Sequence, residues 1–353
     1  MAASPLDHPL FVGLLHDPQA ARLFSPDMEI VTMLAFEISL AQAQAEEGVI
    51  PAAAATAIGE RLTLASPSPQ ELAAGIARDG VVGPAFVRLI RQAVGEPHGQ
   101  LVHFGATSQD LVDSSLMVRL KLLAAEFDSR LQAIEAELGR LIEIFGGRPL
   151  MGRTRMRAAL PITVADRIAS WWGPHDRARR ALPADTFAVQ FGGPVGTLSD
   201  LGDAGPAVRA RLARALDLAD APAWHSQRDR MVRIADWLTS IATALGKIGQ
   251  DVTLMSQDGI GEIVLGGAGG SSAMAHKQNP VKGEVLVALG RHAATLMSGM
   301  HHAAIHEQER SGAAWTLEWL LLPQLALNTA AALRLTLLLL GEVDSMGEGA
   351  AHG

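Results

Sequence analysis

The stretch with the most chemistry per residue is Gly266 to Pro280, GGAGGSSAMAHKQNP. Glycines on both sides of Ala268 precede the adjacent Ser271 and Ser272, with Lys277 and Asn279 following and a long helical pattern after them. A glycine-rich backbone can close over a substrate and turn its N–H groups toward an anion. A serine removes a carbon-bound proton only if its alkoxide is stabilised, and N–H dipoles with an ammonium nearby do that. Lys277 supplies the ammonium, which would also stabilise an enolate-like intermediate. The plainer reading is a surface loop that caps the next helix. A phosphate-binding loop is a third, but it requires Gly-Lys followed by Ser or Thr, which is absent here. A second group, His103-Phe-Gly-Ala-Thr-Ser-Gln-Asp110, places Thr107, Ser108 and Asp110 where any of them could cap a helix. A helix N-terminus is itself an anion site, so capping and binding are compatible.

GGSSAMAHKQNP resembles the signature loop of the fumarase/aspartase superfamily, Gly-Ser-Ser-x-Met-Pro-x-Lys-x-Asn-Pro, with Ala275 in place of the usual proline. The resemblance implies Ser271 as catalytic base and Lys277 as its electrostatic partner, with Lys277 and Asn279 on the substrate carboxylate. HFGATSQD is similar to the first motif block of that superfamily, which implies that Thr107 and Ser108 bind a carboxylate and that His103 joins the catalytic set. Gly152-Arg-Thr-Arg155 resembles the second block, and Gln190-Phe-Gly-Gly-Pro-Val-Gly-Thr197 the segment after it, adding Arg155 and Gln190 as substrate-binding positions. The likeness runs from about residue 20 to 345. It implies an all-α long-helix bundle, a homotetramer with active sites shared between subunits, and no metal or organic cofactor.

The second block separates the branches of the superfamily. Lyases that release an amine or water commonly carry Gly-Arg-Thr-His there, with the histidine in acid–base work, whereas this chain has Arg155. Arginine stays protonated near neutrality and cannot shuttle a proton, but it can fork onto an anion. Amine and hydroxide leaving groups need a proton in the transition state. A carboxylate does not, because its conjugate acid has a pKa of about 4. Lactone opening expels a carboxylate and lactone closure uses one as nucleophile, so the substitution favours a cycloisomerase. Trp224-His-Ser-Gln-Arg-Asp-Arg230 and Glu309-Arg-Ser311, followed by Trp315 and Glu318-Trp319, resemble stretches of carboxymuconate cycloisomerases. They imply Arg228 and Arg310 as contacts for a small polycarboxylate substrate met in aromatic-compound breakdown, against the commoner fate of arginine in surface ion pairs. The competing readings are an adenylosuccinate-type lyase releasing fumarate and a catalytically silent structural member. His302 and His306, four apart, could chelate a metal, but no third ligand completes a motif and a polar helix face explains them better.

The elements that must hold these groups are helical. Leu116, Leu120, Leu123, Phe127, Leu131, Ile134, Leu138 and Leu141 mark one long apolar stripe from about Leu111. Ile234, Leu238, Ile241, Leu245, Ile248, Val252 and Met255 mark a second with near-heptad spacing, and Pro280–His306 and Ala313–Leu340 supply two more. Helices this long are stable when they bury a stripe on one another, which makes a bundle and an oligomer the expected assembly. No alternating strand pattern is evident, so strands are expected to be absent. The expected organisation is an N-terminal helical region (1–110) and a central bundle (111–345), then a flexible tail (346–353) without the small C-terminal helical domain that many superfamily members carry.

Composition narrows the partners. Lys plus Arg is 29 against 37 for Asp plus Glu, a net charge of −8, which argues against nucleic acid as a ligand. There is no cysteine, which excludes disulfides and thiolate chemistry. The first residues lack a basic leader, and the apolar run from Trp315 to Leu340 carries Glu318, Gln324, Asn328 and Arg334, so a cytoplasmic protein with no membrane partner is expected.

Overall fold

The computed structural model describes residues 4–182, 184–267, 269–270, 274 and 278–348. The chain is predominantly helical: α1 (Val12–Leu15), α2 (Pro18–Leu23), α3 (Pro26–Glu46), α4 (Ala52–Thr63), α5 (Pro69–Asp79) and α6 (Gly83–Val94) lead into α7 (Ser108–Phe145). Then follow α8 (Val164–Arg179), α9 (Gly205–Ala215), α10 (Asp229–Met255), α11 (Val281–Ala303) and α12 (Gly312–Gly341). Each leucine and isoleucine of the two predicted stripes is buried, which is why α7 and α10 can run 38 and 27 residues. Ser25 and Ser68 cap α3 and α5, their hydroxyls accepting from the N–H of Met28 and Glu71, with proline at the following position. In α12 the Ser311 hydroxyl accepts from Ala314 N–H.

The long helices α7, α10 and α12 start at one end of the bundle and run the same way. Arg228, at the start of α10, bonds both Asp113 in α7 and Glu318 in α12. At the far end the Leu340 carbonyl of α12 accepts from Arg140 of α7, and Trp171 of α8 donates to Asp251 of α10. Helix α11 returns against them, because Gly283 near its start meets Gly249 near the end of α10. That pair sets the spacing: a Cβ on Gly249 would lie 2.5 Å from the Gly283 carbonyl oxygen. Among the described residues α12 is the helix long and apolar enough to cross a membrane, and 67% of its most apolar window is buried inside the protein.

The expectation of no strands needs correction. β1 (Pro149–Thr154) pairs antiparallel with β2 (Arg157–Thr163), and β3 (Ile263–Leu265) with β4 (Val343–Met346). The first is a hairpin and the second joins segments on either side of α11 and α12; both are small two-stranded ribbons at the same end of the bundle as Gly249. The first escapes a pattern search because β2 is largely exposed along its length and shows no buried alternation. Its turn residues, Arg155 and Met156, have φ of 48° and 66° without the usual Gly or Asn. β4 and the pairing of Glu348 N–H with the Pro149 carbonyl also occupy part of the region expected to be a free tail.

Replacing a helical glycine by alanine ordinarily stabilises a helix by about 1 kcal/mol. Gly249→Ala should do the opposite, costing about 1–3 kcal/mol through overpacking against α11. The check is the urea midpoint by circular dichroism at fixed protein concentration; a rise would refute the close-packing account.

Candidate functional site

The first turn of α7 is organised around Asp110. Its carboxylate is fully buried and accepts five hydrogen bonds. Oδ2 takes the N–H of Thr107 at 3.0 Å and of Gly193 at 2.9 Å. Oδ1 takes the N–H of Gly192 at 2.9 Å, Nε2 of Gln190 at 3.0 Å and Nε2 of His225 at 2.9 Å. Because a carboxylate only accepts, Nε2 is the protonated nitrogen of His225. Gly193 has φ +70° and its absent Cβ would stand 2.9 Å from the Gly105 carbonyl, so the Phe191–Pro194 loop lies directly on the HFGATSQD segment. Thr107 is thus the residue before the helix, and its capping role is realised through Asp110.

One turn on, Asp113 and Glu318 grip Arg228 from two sides. Arg228 Nη1 donates to Asp113 Oδ2 at 2.6 Å, and Nε and Nη2 donate to the two Glu318 oxygens at 2.8 and 2.5 Å. Trp315 Nε1 donates to Asp113 Oδ1 at 3.0 Å, and the guanidinium sits 4.9 Å from the Trp224 ring centroid. Burial works against this charge, but the two carboxylates outweigh it and hold the guanidinium above its ordinary pKa.

These contacts correct two expectations. Arg228 is not free to meet a substrate carboxylate: its side chain has no exposed surface and its donors are engaged by protein carboxylates. Gln190 is likewise buried, with its amide nitrogen on Asp110 and its Oε1 accepting the Trp224 N–H at 2.7 Å. Both residues build the site's floor. Arg310 remains at the surface beside it, donating from Nε to Gln109 Oε1 at 3.2 Å and from Nη2 to the Pro194 carbonyl at 3.1 Å. The expected polar face shared by His302 and His306 does not form either. Helix α11 ends at Ala303, and the His306 ring is buried 3.5 Å from Glu318.

At the rim of this end, His103 and Ser108 line a cleft of about 470 Å³ with Arg88 and Arg91. His103 has φ 64° and its Nδ1 donates to Glu37 Oε1 of α3 at 2.5 Å. Burial alone would push the imidazole pKa down, but the charge and hydrogen bond of Glu37, helped by Asp110, raise it above the ordinary histidine value. An imidazole whose pKa Glu37 raises, an arginine pair and the start of a 38-residue helix face one cleft, a setting suited to an anion.

The remaining candidates are at the other end of the bundle. Arg155 sits at the β1–β2 turn and lines a cleft of about 310 Å³ with Arg153, Arg167, Lys247, Asp251 and Glu262. Arg153 pairs with Glu262 at 2.6 Å. Asn279 exchanges backbone hydrogen bonds with Gly269 at 2.9 and 2.7 Å, and its Nδ2 donates to the Gly270 carbonyl at 3.3 Å. That pinch closes the ends of the glycine-rich loop. Ser271 and Lys277 lie outside the described residues. The 27 residues of α10 separate the two ends, about 40 Å at 1.5 Å per residue. One chain therefore holds His103, Thr107, Ser108 and Arg310 at one end of the bundle and Arg155 and Asn279 at the other.

Residues 22–294 match the lyase family. The chain belongs to that family. The resemblance to the fumarase/aspartase superfamily drawn from the motif blocks is borne out. The chain is 38% identical over 348 residues to the 3-carboxy-cis,cis-muconate cycloisomerase of Pseudomonas aeruginosa, covering 94% of this chain and 76% of that protein. It is 34% identical to the enzyme of that name from Acinetobacter baylyi, covering 93% of this chain and 75% of that one. The crystal structure of the 3-carboxy-cis,cis-muconate lactonizing enzyme from Pseudomonas putida superposes with a TM-score of 0.89 at 31% identity, covering 96% of this chain and 77% of that chain.

Sequence reasoning did not single out Glu37, Asp113 or His225 as parts of this site. Asp110 had a local signal, as the fourth residue of a Thr-x-x-Asp cap. Asp113 and Glu318 had a weaker one, an acidic residue inside an otherwise apolar helical stripe. Nothing local announced Glu37, whose partner is 66 residues away.

The His103–Glu37 pair gives a pH prediction. A histidine whose pKa is raised on folding contributes stability that is fully present below the unfolded value of about 6.5. That contribution is lost as pH rises through the folded value. Urea midpoints measured from pH 6 upward should fall across this window in the wild type and fall less in Glu37→Gln; equal slopes would remove the pair from the account.

Proposed function

We propose that this lyase-family protein is a cycloisomerase that closes 3-carboxy-cis,cis-muconate, or an analogue with another anionic 3-substituent such as sulfonate, into its lactone. The observation that carries the reading is the 38% identity over 94% of the chain to a protein of that name. Arg155 supports it, standing where amine- and water-releasing relatives carry an acid–base histidine. In lactonisation a substrate carboxylate oxygen adds to the conjugated diene, and the electron pair moves onto the carbon next to a second carboxylate. Lys277 and Asn279 hold that aci-carboxylate, and Ser271 delivers the proton to carbon; in reverse Ser271 is the base. Neither direction requires Arg155 to change protonation, so it serves as an anion clamp. The steps use proton transfer and charge stabilisation alone, so we assign no metal or organic cofactor. The substrate's place is in aromatic-compound breakdown.

The separation of the candidates supports a site completed by other copies of the chain. About 40 Å of helix lies between the His103 cleft and the Asn279 pinch, far beyond the reach of one small polycarboxylate. Copies packed along the long helices with opposite ends adjacent would bring the two sets together, as in a homotetramer with shared sites. The burial of α12 supports a cytoplasmic enzyme, since that helix is occupied by protein contacts.

Purified protein mixed with 3-carboxy-cis,cis-muconate should remove the conjugated-diene absorbance, and Ser271→Ala should lower kcat by about 10²-fold or more. No loss of absorbance from folded wild-type protein would sink the substrate assignment. Shared sites predict a further result: Ser271→Ala and His103→Gln, each impaired alone, should regain activity when their subunits are unfolded and refolded together. Mixed protein no more active than its parents would return both residues to a single chain's site.

A further inference from the structure

The cleft beside His103 carries more positive charge than the protein answers. Gly83, Arg88, Arg91, Gln92, His103 and Ser108 are part of its lining, and among the described residues no carboxylate is. Arg88 and Arg91 stand three apart in α6, so they share a face, and both are exposed. Like charges at that spacing disfavour the helix unless an anion lies between them. Arg91 spends Nε and Nη2 on the Val102 carbonyl, at 3.2 and 3.0 Å, which anchors its charge without neutralising it. Arg88 makes no hydrogen bond or ion pair among the described residues, and Asp79, the carboxylate it influences, is already paired with Arg78 at 2.6 Å. The His103 side chain is 10% exposed, with Nδ1 on Glu37 and no bond at Nε2 among the described residues. Glu37 stands behind that ring and answers its charge, so the two guanidiniums are the groups left without a partner.

The cleft at the opposite end has the same imbalance. Arg153 is paired there with Glu262 and Lys247 with Asp251, so Arg155 and Arg167 are in excess. Brought together, the two clefts offer two guanidiniums each, more than a dianion can answer. We propose, given lactonisation at sites shared between copies, that Arg88 and Arg91 are specificity-determining residues: they hold one anionic group of the substrate and select a trianion over a dianion. A carboxylate between the two guanidiniums accepts charge-assisted hydrogen bonds from both. A hydrogen atom in its place leaves two cations facing each other across the cleft, which guanidinium cannot relieve by losing a proton. No motif marked either residue, because α6 lies before the HFGATSQD segment and meets it only in the folded chain.

The test uses tricarballylate and glutarate, which differ only by a carboxylate on the middle carbon, titrated calorimetrically into the intact protein. Tricarballylate should bind saturably and at least about tenfold tighter than glutarate, the reach of one charge-assisted hydrogen bond. Arg88→Gln should remove most of that preference, and because Arg88 is exposed and unbonded the variant should keep the wild-type urea midpoint. In turnover the same substitution should raise KM for 3-carboxy-cis,cis-muconate about tenfold. Equal affinity for the two probes in the wild type, no saturable tricarballylate binding, a preference kept in Arg88→Gln, or an unchanged KM would each overturn the proposal. Failure of the lactonising reading has a separate signature, diene absorbance that persists with the wild type. A tricarballylate preference that Arg88→Gln removes would, in that event, keep the charge selection and discard only the substrate.

Discussion

Charge buried at the start of α7 is the constraint from which the rest of this end of the molecule follows. Two carboxylates one turn apart, Asp110 and Asp113, are out of water, and an unpaired buried charge costs several kcal/mol. Each must be surrounded by donors, and the donors come from far along the chain. The Gln190–Gly193 loop and His225 converge on Asp110; Arg228 and Trp315 converge on Asp113. Satisfying those two groups pins the beginnings of α10 and α12 to the beginning of α7. Their positive helix ends then point toward the region where His103 and Arg310 reach solvent.

This arrangement separates two jobs that arginine and glutamine can do. Arg228 and Gln190 spend their hydrogen bonds inside the protein, which makes the floor rigid. Arg310 and the His103 cleft, resting on that floor, keep surface open. Rigid support of this kind lets an anion-binding group be held without reorganisation when a ligand arrives. At the far end, the β1–β2 turn carries Arg155 into a second cationic cleft, and Asn279 ties off the glycine-rich loop. The length of α10 keeps the two ends apart. Shortening the bundle would bring them closer but would also remove the apolar stripe that stabilises helices of this length.

The long helices were legible in the residues themselves. The stripes on α7 and α10 and the caps on α3 and α5 are local patterns, repeated often enough that packing and propensity agree. The ribbons were not legible, because β2 is too exposed to carry an alternation and its turn uses Arg155 and Met156 at positive φ. Of the candidate site residues, types and motif spacing were readable, but partners were not. An arginine in a motif looks the same in one dimension whether it faces a ligand or two buried carboxylates.

By itself, then, the sequence determined the helical architecture, the lyase family and the identity of the groups available for chemistry, since these rest on periodicity, capping and motif spacing within short stretches. The tertiary structure alone decided which of those groups are free. Arg228 turned inward because Asp113 and Glu318, 115 and 90 residues away, meet it in the core, and His103 acquired its Glu37 partner from 66 residues off. Such pairings follow from the cost of burying charge unpaired, which depends on where distant segments meet and leaves no local trace.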